Sequence, residues 1–169
     1  LAMVNQGSYN ANDRSQLAAE NLRNKAITDL FEPGSTMKPI TTAAALESGS
    51  YSVNSTIDTN PGFRRFGRFT IRDHRNYGVM DMTEIIVKSS NVGISRIATD
   101  LGGDVIRDLY ARLGLGQPTG IGFPGEAVGV LPSPPKWRPV EEATLSYGYG
   151  MSVNALQLAQ AYMVIANGG

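Results

Sequence analysis

Two prolines constrain this chain more tightly than any other feature. In "FEPGSTMKPITTAAALESG" (residues 31–49), Pro33 and Pro39 bracket Ser35 and Lys38, and the run from Ile40 to Glu47 reads as helix. A proline inside a helix costs about 3 kcal/mol, whereas in the first turn it removes an N–H that has no intrahelical partner. Pro39 is therefore compatible with a helix only if that helix begins near Ser35. Pro33 and Gly34 then supply the preceding turn, Gly49 supplies the stop, and the spacing predicts a helix from Ser35 to Glu47.

A serine at a helix N-terminus has chemical consequences. The positive end of the helix dipole stabilises negative charge developing nearby, and unpaired N–H groups there can form part of an oxyanion hole. Lys38, three residues on, is expected on the same face and within reach of the Ser35 hydroxyl. A serine is a weak nucleophile until a neighbour takes its proton, and a lysine can do so if burial or another cation lowers its pKa. Alone, an S-x-x-K tetrad reads as a helix cap beside a solvated lysine. A second motif changes the balance here. In "KSSNVG" (residues 88–93), Ser89 and Asn91 are two residues apart at a junction between two helical patterns. In extended backbone both side chains point the same way, and a hydroxyl with an amide can relay a proton and grip a carbonyl. The alternative is that Ser89 ends one helix and Asn91 caps the next.

The remaining pattern is that of one mixed domain. The 169 residues are 41% apolar and 18% charged, enough for a single core and too apolar for disorder. Lys+Arg and Asp+Glu are both 15, which gives no electrostatic case for nucleic acid or an anionic membrane. Cysteine is absent, excluding disulfides, thiolate metal sites and cysteine nucleophiles. Leu1 to Val4 reads as a strand, and Gln16 to Phe31 as partly helical. Residues 50–80 are polar, glycine-, asparagine- and arginine-rich, with runs such as "GRFTIRD", and read as an irregular β insertion. Helical pattern resumes with "MTEIIVKS" and with "NVGISRIATDLG", where Ile94, Ile97, Ala98 and Leu101 form one face. Val105, Leu109 and Leu113 are expected to repeat that face before Gly114, so that 82–116 forms a helical subdomain. "GQPTGIGFPGEAVGVLPSPPKWRP" reads as a long loop and "EEATLSYGYGMS" as a glycine-punctuated turn. A last helix is expected from Asn154 to Asn167, with Leu158, Ala159, Tyr162, Ile165 and Ala166 on its packed side. Both ends look cut, so the chain is expected to be part of something longer.

His74 is the single histidine and the only candidate for a Ser-His-Asp triad; its charged surroundings read as surface. Asp81, Glu84, Glu141 and Glu142 lack metal-ligand spacing, so no metal is expected. Glu126 reads as a structural hydrogen-bonding group, and Trp137 as a staple for the proline-rich loop. "YGYG" (residues 147–150) is either a tight turn or a wall of the cleft.

"RNKAITDLFEPGSTMKP", "KSSNVGIS", "GLGQPTGIGFPGE" and "ATLSYGYGMSVNALQLAQAYMVIANGG" together resemble class B penicillin-binding proteins, most of all the septal, cell-division type of Gram-negative bacteria. The resemblance covers nearly the whole chain. It implies an α/β fold of the α+β type, shared with serine β-lactamases: helices flanking an antiparallel sheet, partly represented here. It implies a D,D-transpeptidase that joins peptidoglycan stems, with Ser35 as the acylated nucleophile, Lys38 as its proton acceptor and Ser89 as a proton relay. Asn91 would bind the donor peptide's amide, with Ser90 and Tyr149 as further substrate contacts. It implies no cofactor. The implied partners are D-Ala-D-Ala stem peptides, β-lactam antibiotics, and division-machinery membrane proteins including a lipid-linked glycan polymerase. The implied location is the periplasmic face of the inner membrane, with an N-terminal membrane anchor outside this chain. The family's third motif, K-[ST]-G, is not present, because none of Lys25, Lys38, Lys88 and Lys136 is followed by Ser/Thr-Gly. These residues alone are therefore expected to be impaired. A serine β-lactamase-like hydrolase and a non-catalytic β-lactam sensor or scaffold domain remain as rival readings.

Overall fold

The computed structural model describes residues 2–7, 9–13, 15 and 18–169. Among these, the helices are α1 (Lys25–Thr28), α2 (Lys38–Glu47), α3 (Met82–Val87), α4 (Asn91–Leu101), α5 (Gly103–Arg112), α6 (Pro139–Leu145) and α7 (Ala155–Ala166). Four short strands lie between α2 and α3: β1 (Thr56–Asp58), β2 (Phe63–Phe66), β3 (Phe69–Arg72) and β4 (Val79–Asp81). They form two nested antiparallel pairs, β2 with β3 and, outside it, β1 with β4. Single bridges join Phe31 to Val153 and Val130 to Ser152. The mixture of helix and antiparallel strand is the expected α+β class.

The prolines act as anticipated. A 3-10 turn, Gly34–Met37, begins directly after Pro33 and runs into α2, where Pro39 occupies the first turn. Helix α2 then becomes the central element, because its two sides serve two cores. Met37, Ile40 and Ala44 pack with Ile106, Leu109, Tyr110, Leu145 and Ala161. Ala45, on the other side, joins Ile57, Ile71, Met80, Ile85, Ile94 and Ile97. Helix α4 likewise gives Ala98 to the first core and Ile94 and Ile97 to the second. Each fully buried isoleucine contributes about 1.5–3 kcal/mol by leaving water. Polar groups inside this packing are paired: the Thr41 hydroxyl donates to Ser146 O at 2.7 Å and lies 2.6 Å from the Tyr110 hydroxyl.

The structure corrects several local expectations. Ala2 to Val4 form no strand, and Leu1 lies outside the described residues. In the segment from 16 to 31, Gln16 and Leu17 lie outside the described residues, and the rest is a 3-10 turn (Ala19–Leu22) followed by α1. Val105 is exposed, and Ile106 and Tyr110 carry the buried face of α5 with Leu109. "EEATL" is not a turn: it lies in α6, which has Pro139 in its first turn and Glu141 closing back on the Arg138 N–H at 2.9 Å, and the turn begins at Ser146. Helix α7 has the expected extent, but Tyr162 and Ile165 face outward. Its buried side centres on Gln157 and Ala161, because the Gln157 amide donates to Gln117 O and Val128 O, both at 2.7 Å.

Candidate active site

Ser35 sits one residue inside the 3-10 turn, exposed to solvent, and the Lys38 N–H donates to its carbonyl. Side chains three apart eclipse in 3-10 geometry, so Ser35 and Lys38 share one side of the turn. The turn is held from the far end of the chain. Gly34 N–H donates to Gly148 O at 3.3 Å, Gly150 N–H to Glu32 Oε1 at 2.8 Å, and the Tyr162 hydroxyl to Thr36 O at 2.5 Å. Gly148 has φ +77°, and a Cβ there would lie 2.5 Å from Gly34 O. Only glycine permits this backbone-to-backbone approach.

Lys38 is 2% exposed. Its ammonium donates to Ser89 O at 2.5 Å, Ser89 Oγ at 2.9 Å and Asn91 Oδ1 at 2.7 Å. The two motifs therefore meet through the lysine. The ammonium also lies 6.0 Å from the centre of the Tyr147 ring. Burial pushes Lys38 down to about 8, against the opposing pull of the Asp73 carboxylate. The expected direct contact between Lys38 and Ser35 is not formed: all three ammonium protons are committed to the 89–91 junction, and the Ser35 hydroxyl bonds to none of the described residues. Ser35 nonetheless lines one cavity of about 320 Å³ with Ser89, Asn91, Arg72, Asp73, His74 and Lys88.

The junction itself is built by capping. Ser89 has φ +53°, the one non-glycine residue at positive φ among those described, and this bend turns its carbonyl toward Lys38 as α3 ends. Ser90 caps α4, accepting from Gly93 N–H at 2.8 Å, and donates to Asp73 Oδ2 at 2.6 Å. It is fully buried, so this candidate substrate contact is instead part of the scaffold. Asp73 also accepts from Asn91 N–H at 2.6 Å and Val92 N–H at 3.0 Å. The α4 N-terminus thus receives a carboxylate where its dipole favours one, and that carboxylate faces the buried lysine. Sequence reasoning passed over Asp73. Its one signal is its place in "IRDHRN", directly after the strand pattern. Asn91 Nδ2 donates to Arg72 O at 3.2 Å, fixing the amide so that its oxygen meets Lys38.

Tyr149, the other expected substrate contact, packs edge-to-face on Tyr147 with ring centres 5.6 Å apart. It lines a separate groove with Pro132, Trp137, Arg138 and Glu141, not the Ser35 cavity. His74 is exposed but stands on the wall of the Ser35 cavity rather than away from it. The acids without metal spacing have structural partners: Asp81 and Glu84 form the capping box of α3, and Glu142 accepts from Gly103 N–H. Glu126 accepts from Thr119 N–H at 2.7 Å. Trp137 lies against Gly103 and donates to Asp104 Oδ1 at 2.7 Å, pinning its loop to α5.

Such a group of residues suits acyl transfer: a hydroxyl at a cavity mouth, a buried amine with a weakened hold on its proton, and a second hydroxyl that bonds to the amine and lines the same cavity. Comparison with known proteins agrees. The family described as the penicillin binding protein transpeptidase domain matches residues 1–169. The chain is 43% identical over its whole length to the probable peptidoglycan D,D-transpeptidase PbpC of Pseudomonas aeruginosa. It is 42% identical to the peptidoglycan D,D-transpeptidase FtsI of Escherichia coli, again over its whole length. It spans 30% and 28% of those two proteins, respectively. Among solved structures, the apo TP domain from Burkholderia pseudomallei penicillin-binding protein 3 superposes with a TM-score of 0.83. The match is 41% identical and covers 88% of this chain and 45% of that one. With every residue matched, the chain belongs to the penicillin-binding protein transpeptidase domain family.

Proposed function

We propose that this chain carries the nucleophile of a serine-type peptidoglycan D,D-transpeptidase acting in septal cell-wall synthesis. The Ser35 oxygen attacks the penultimate carbonyl of a D-Ala-D-Ala stem, the C–N bond breaks, and D-alanine leaves. An amine of a second stem then displaces the serine. Neutral Lys38 accepts the Ser35 proton, Ser89 passes a proton to the departing amine, and Asn91 orients the donor amide. β-Lactams enter by the first step and remain on the serine. For the protein as a whole, the reading includes action at the outer face of the inner membrane beside a glycan polymerase of the division machinery.

One observation carries this reading: the Lys38 ammonium lies within hydrogen-bonding distance of both Ser89 Oγ and Asn91 Oδ1, beside the cavity that Ser35 opens onto. A lysine near 8 is about one-tenth neutral at pH 7, enough to act as a base. The test is intact mass after exposure to benzylpenicillin, using the protein that carries this sequence. A long-lived adduct, abolished by Ser35→Ala, supports acyl transfer. Rapid antibiotic turnover without an adduct favours the hydrolase, and no reaction at all refutes both.

A further inference from the structure

The chain's zero net charge hides a local asymmetry. Five of its fifteen cationic side chains, Arg64, Arg65, Arg68, Arg72 and Arg75, fall in a stretch whose one acid is Asp73. That acid is already committed to capping α4. The β2–β3 hairpin divides the arginines by side. Its register pairs Phe63 with Arg72 and Arg65 with Thr70, so these four share one face, while Arg64, Phe66, Phe69 and Ile71 share the other. The second face is turned to α4: Ile71 is buried, and the Arg64 guanidinium donates to Ser95 Oγ at 3.2 Å and Thr99 Oγ1 at 3.1 Å.

The first face looks outward. Arg65 and Arg72 are exposed, and their guanidinium carbons lie 5.5 and 5.2 Å from the centre of the same Phe63 ring. The ring draws both cations to one spot, although they repel each other. Neither has an ion-pair partner among the described residues. Arg72 is also a wall of the Ser35 cavity, beside His74 and Lys88. The cationic face is therefore continuous with the place where the acyl donor must lie.

We infer that the outer face of the β2–β3 hairpin is an extended substrate subsite, in which Arg65 and Arg72 hold internal carboxylates of the peptide whose reactive end reaches Ser35. This rests on the acyl-transfer reading, and it requires that the acyl donor carry carboxylates upstream of its reactive end. A guanidinium presents a planar fork of donors that matches a carboxylate, and two of them on one ring form a preset pair. Arg65 lies outside the residues that line the Ser35 cavity, so its effect is expected on long stem peptides more than on a small β-lactam.

The test is binding of a fluorescent stem peptide in two forms, internal carboxylates free or converted to amides, in a Ser35→Ala background that prevents turnover. The acid form is expected to bind more tightly at low ionic strength. Its advantage over the amide should fall about threefold in Arg65→Gln and about tenfold when Arg72→Gln is added, at roughly threefold for each exposed pair. Arg65→Lys should keep only part of the advantage, since an ammonium retains the charge but not the fork, whereas a purely steric or folding effect would weaken acid and amide alike and leave their ratio unchanged. Equal binding of acid and amide, or an unchanged ratio in the double variant, overturns the inference. So does loss of binding to anionic phospholipid vesicles in Arg65→Gln with the peptide ratio intact, which would reassign the face to a membrane surface. Failure of the acyl-transfer reading shows separately, as absence of a penicillin adduct on wild-type Ser35.

Discussion

Replacing Lys38 with methionine separates the cost of burying the amine from the use made of it. Methionine fills a similar volume but carries no proton. The lysine is 2% exposed and titrates near 8 in the fold, against 10.5 in the unfolded chain. At about 1.36 kcal/mol per unit, burial of the charge disfavours the folded state by about 3 kcal/mol below pH 8. Methionine relieves that cost but leaves Ser89 O, Ser89 Oγ and Asn91 Oδ1 without their donor, at about 1–3 kcal/mol for each that water does not reach. Near pH 7, Lys38→Met should therefore change stability little. The sign of the pH dependence follows from the lowered pKa. Between 8 and 10.5 the unfolded state holds the proton that the folded state has released, so wild-type stability rises with pH across that window. The difference in unfolding free energy between wild type and Lys38→Met should shift in favour of wild type by about 3 kcal/mol, other titrations cancelling. Urea unfolding of both proteins at closely spaced pH values measures it. Acylation by benzylpenicillin should fall by about 10²–10⁴-fold in the variant, and in wild type should rise with pH to a plateau above about 8. A stability difference that is flat across the window, or acylation within tenfold of wild type, refutes the argument.

Other perturbations probe the scaffold around that lysine. Asp73→Asn keeps one oxygen but cannot accept from Ser90, and should destabilise by about 1–3 kcal/mol in urea unfolding; removing its charge should also move the pH midpoint of acylation below the wild-type value, since Asp73 holds the Lys38 proton on. Gly148→Ala sets a methyl 2.5 Å from Gly34 O at a φ of +77°, and should cost about 3 kcal/mol or more while slowing penicillin adduct formation at Ser35. Thr41→Val loses the bond to Ser146 O and should lower thermal stability by about 1–2 kcal/mol without moving the acylation pH midpoint.

Legibility in the sequence followed the range of the interactions. Proline and glycine act on their own neighbourhoods, so the start of α2 just before Pro39 and its stop just before Gly49 were readable. The capped helix after Asn154 was readable for the same reason, since the Asn154–Gln157 capping box is local. The same proline logic applied to Pro139 would have revealed α6, but the glycines of "YGYG" drew attention to the turn that follows it. The buried side of α7 was hidden because a glutamine serves it, and hydrophobic periodicity does not register a polar side chain whose bonds are satisfied by two distant loops. At the site, the spacing of Ser35 to Lys38 and Ser89 to Asn91 marks both segments, but nothing local says that the lysine would bond to the second motif rather than to the first. Asp73 has no periodic signature at all: its role is set by a helix beginning 18 residues later.

The clamp around Ser35 has a consequence for synthesis of the protein. Glu32, Gly34 and Thr36 are tied to Gly150, Gly148 and Tyr162 across more than a hundred residues. A ribosome releases the serine long before the segments that lock its surroundings have emerged. The nascent polypeptide therefore passes through a stage in which the Ser35 turn is present but unclamped, and its last tie, from Tyr162 to Thr36, forms only after α7 has docked.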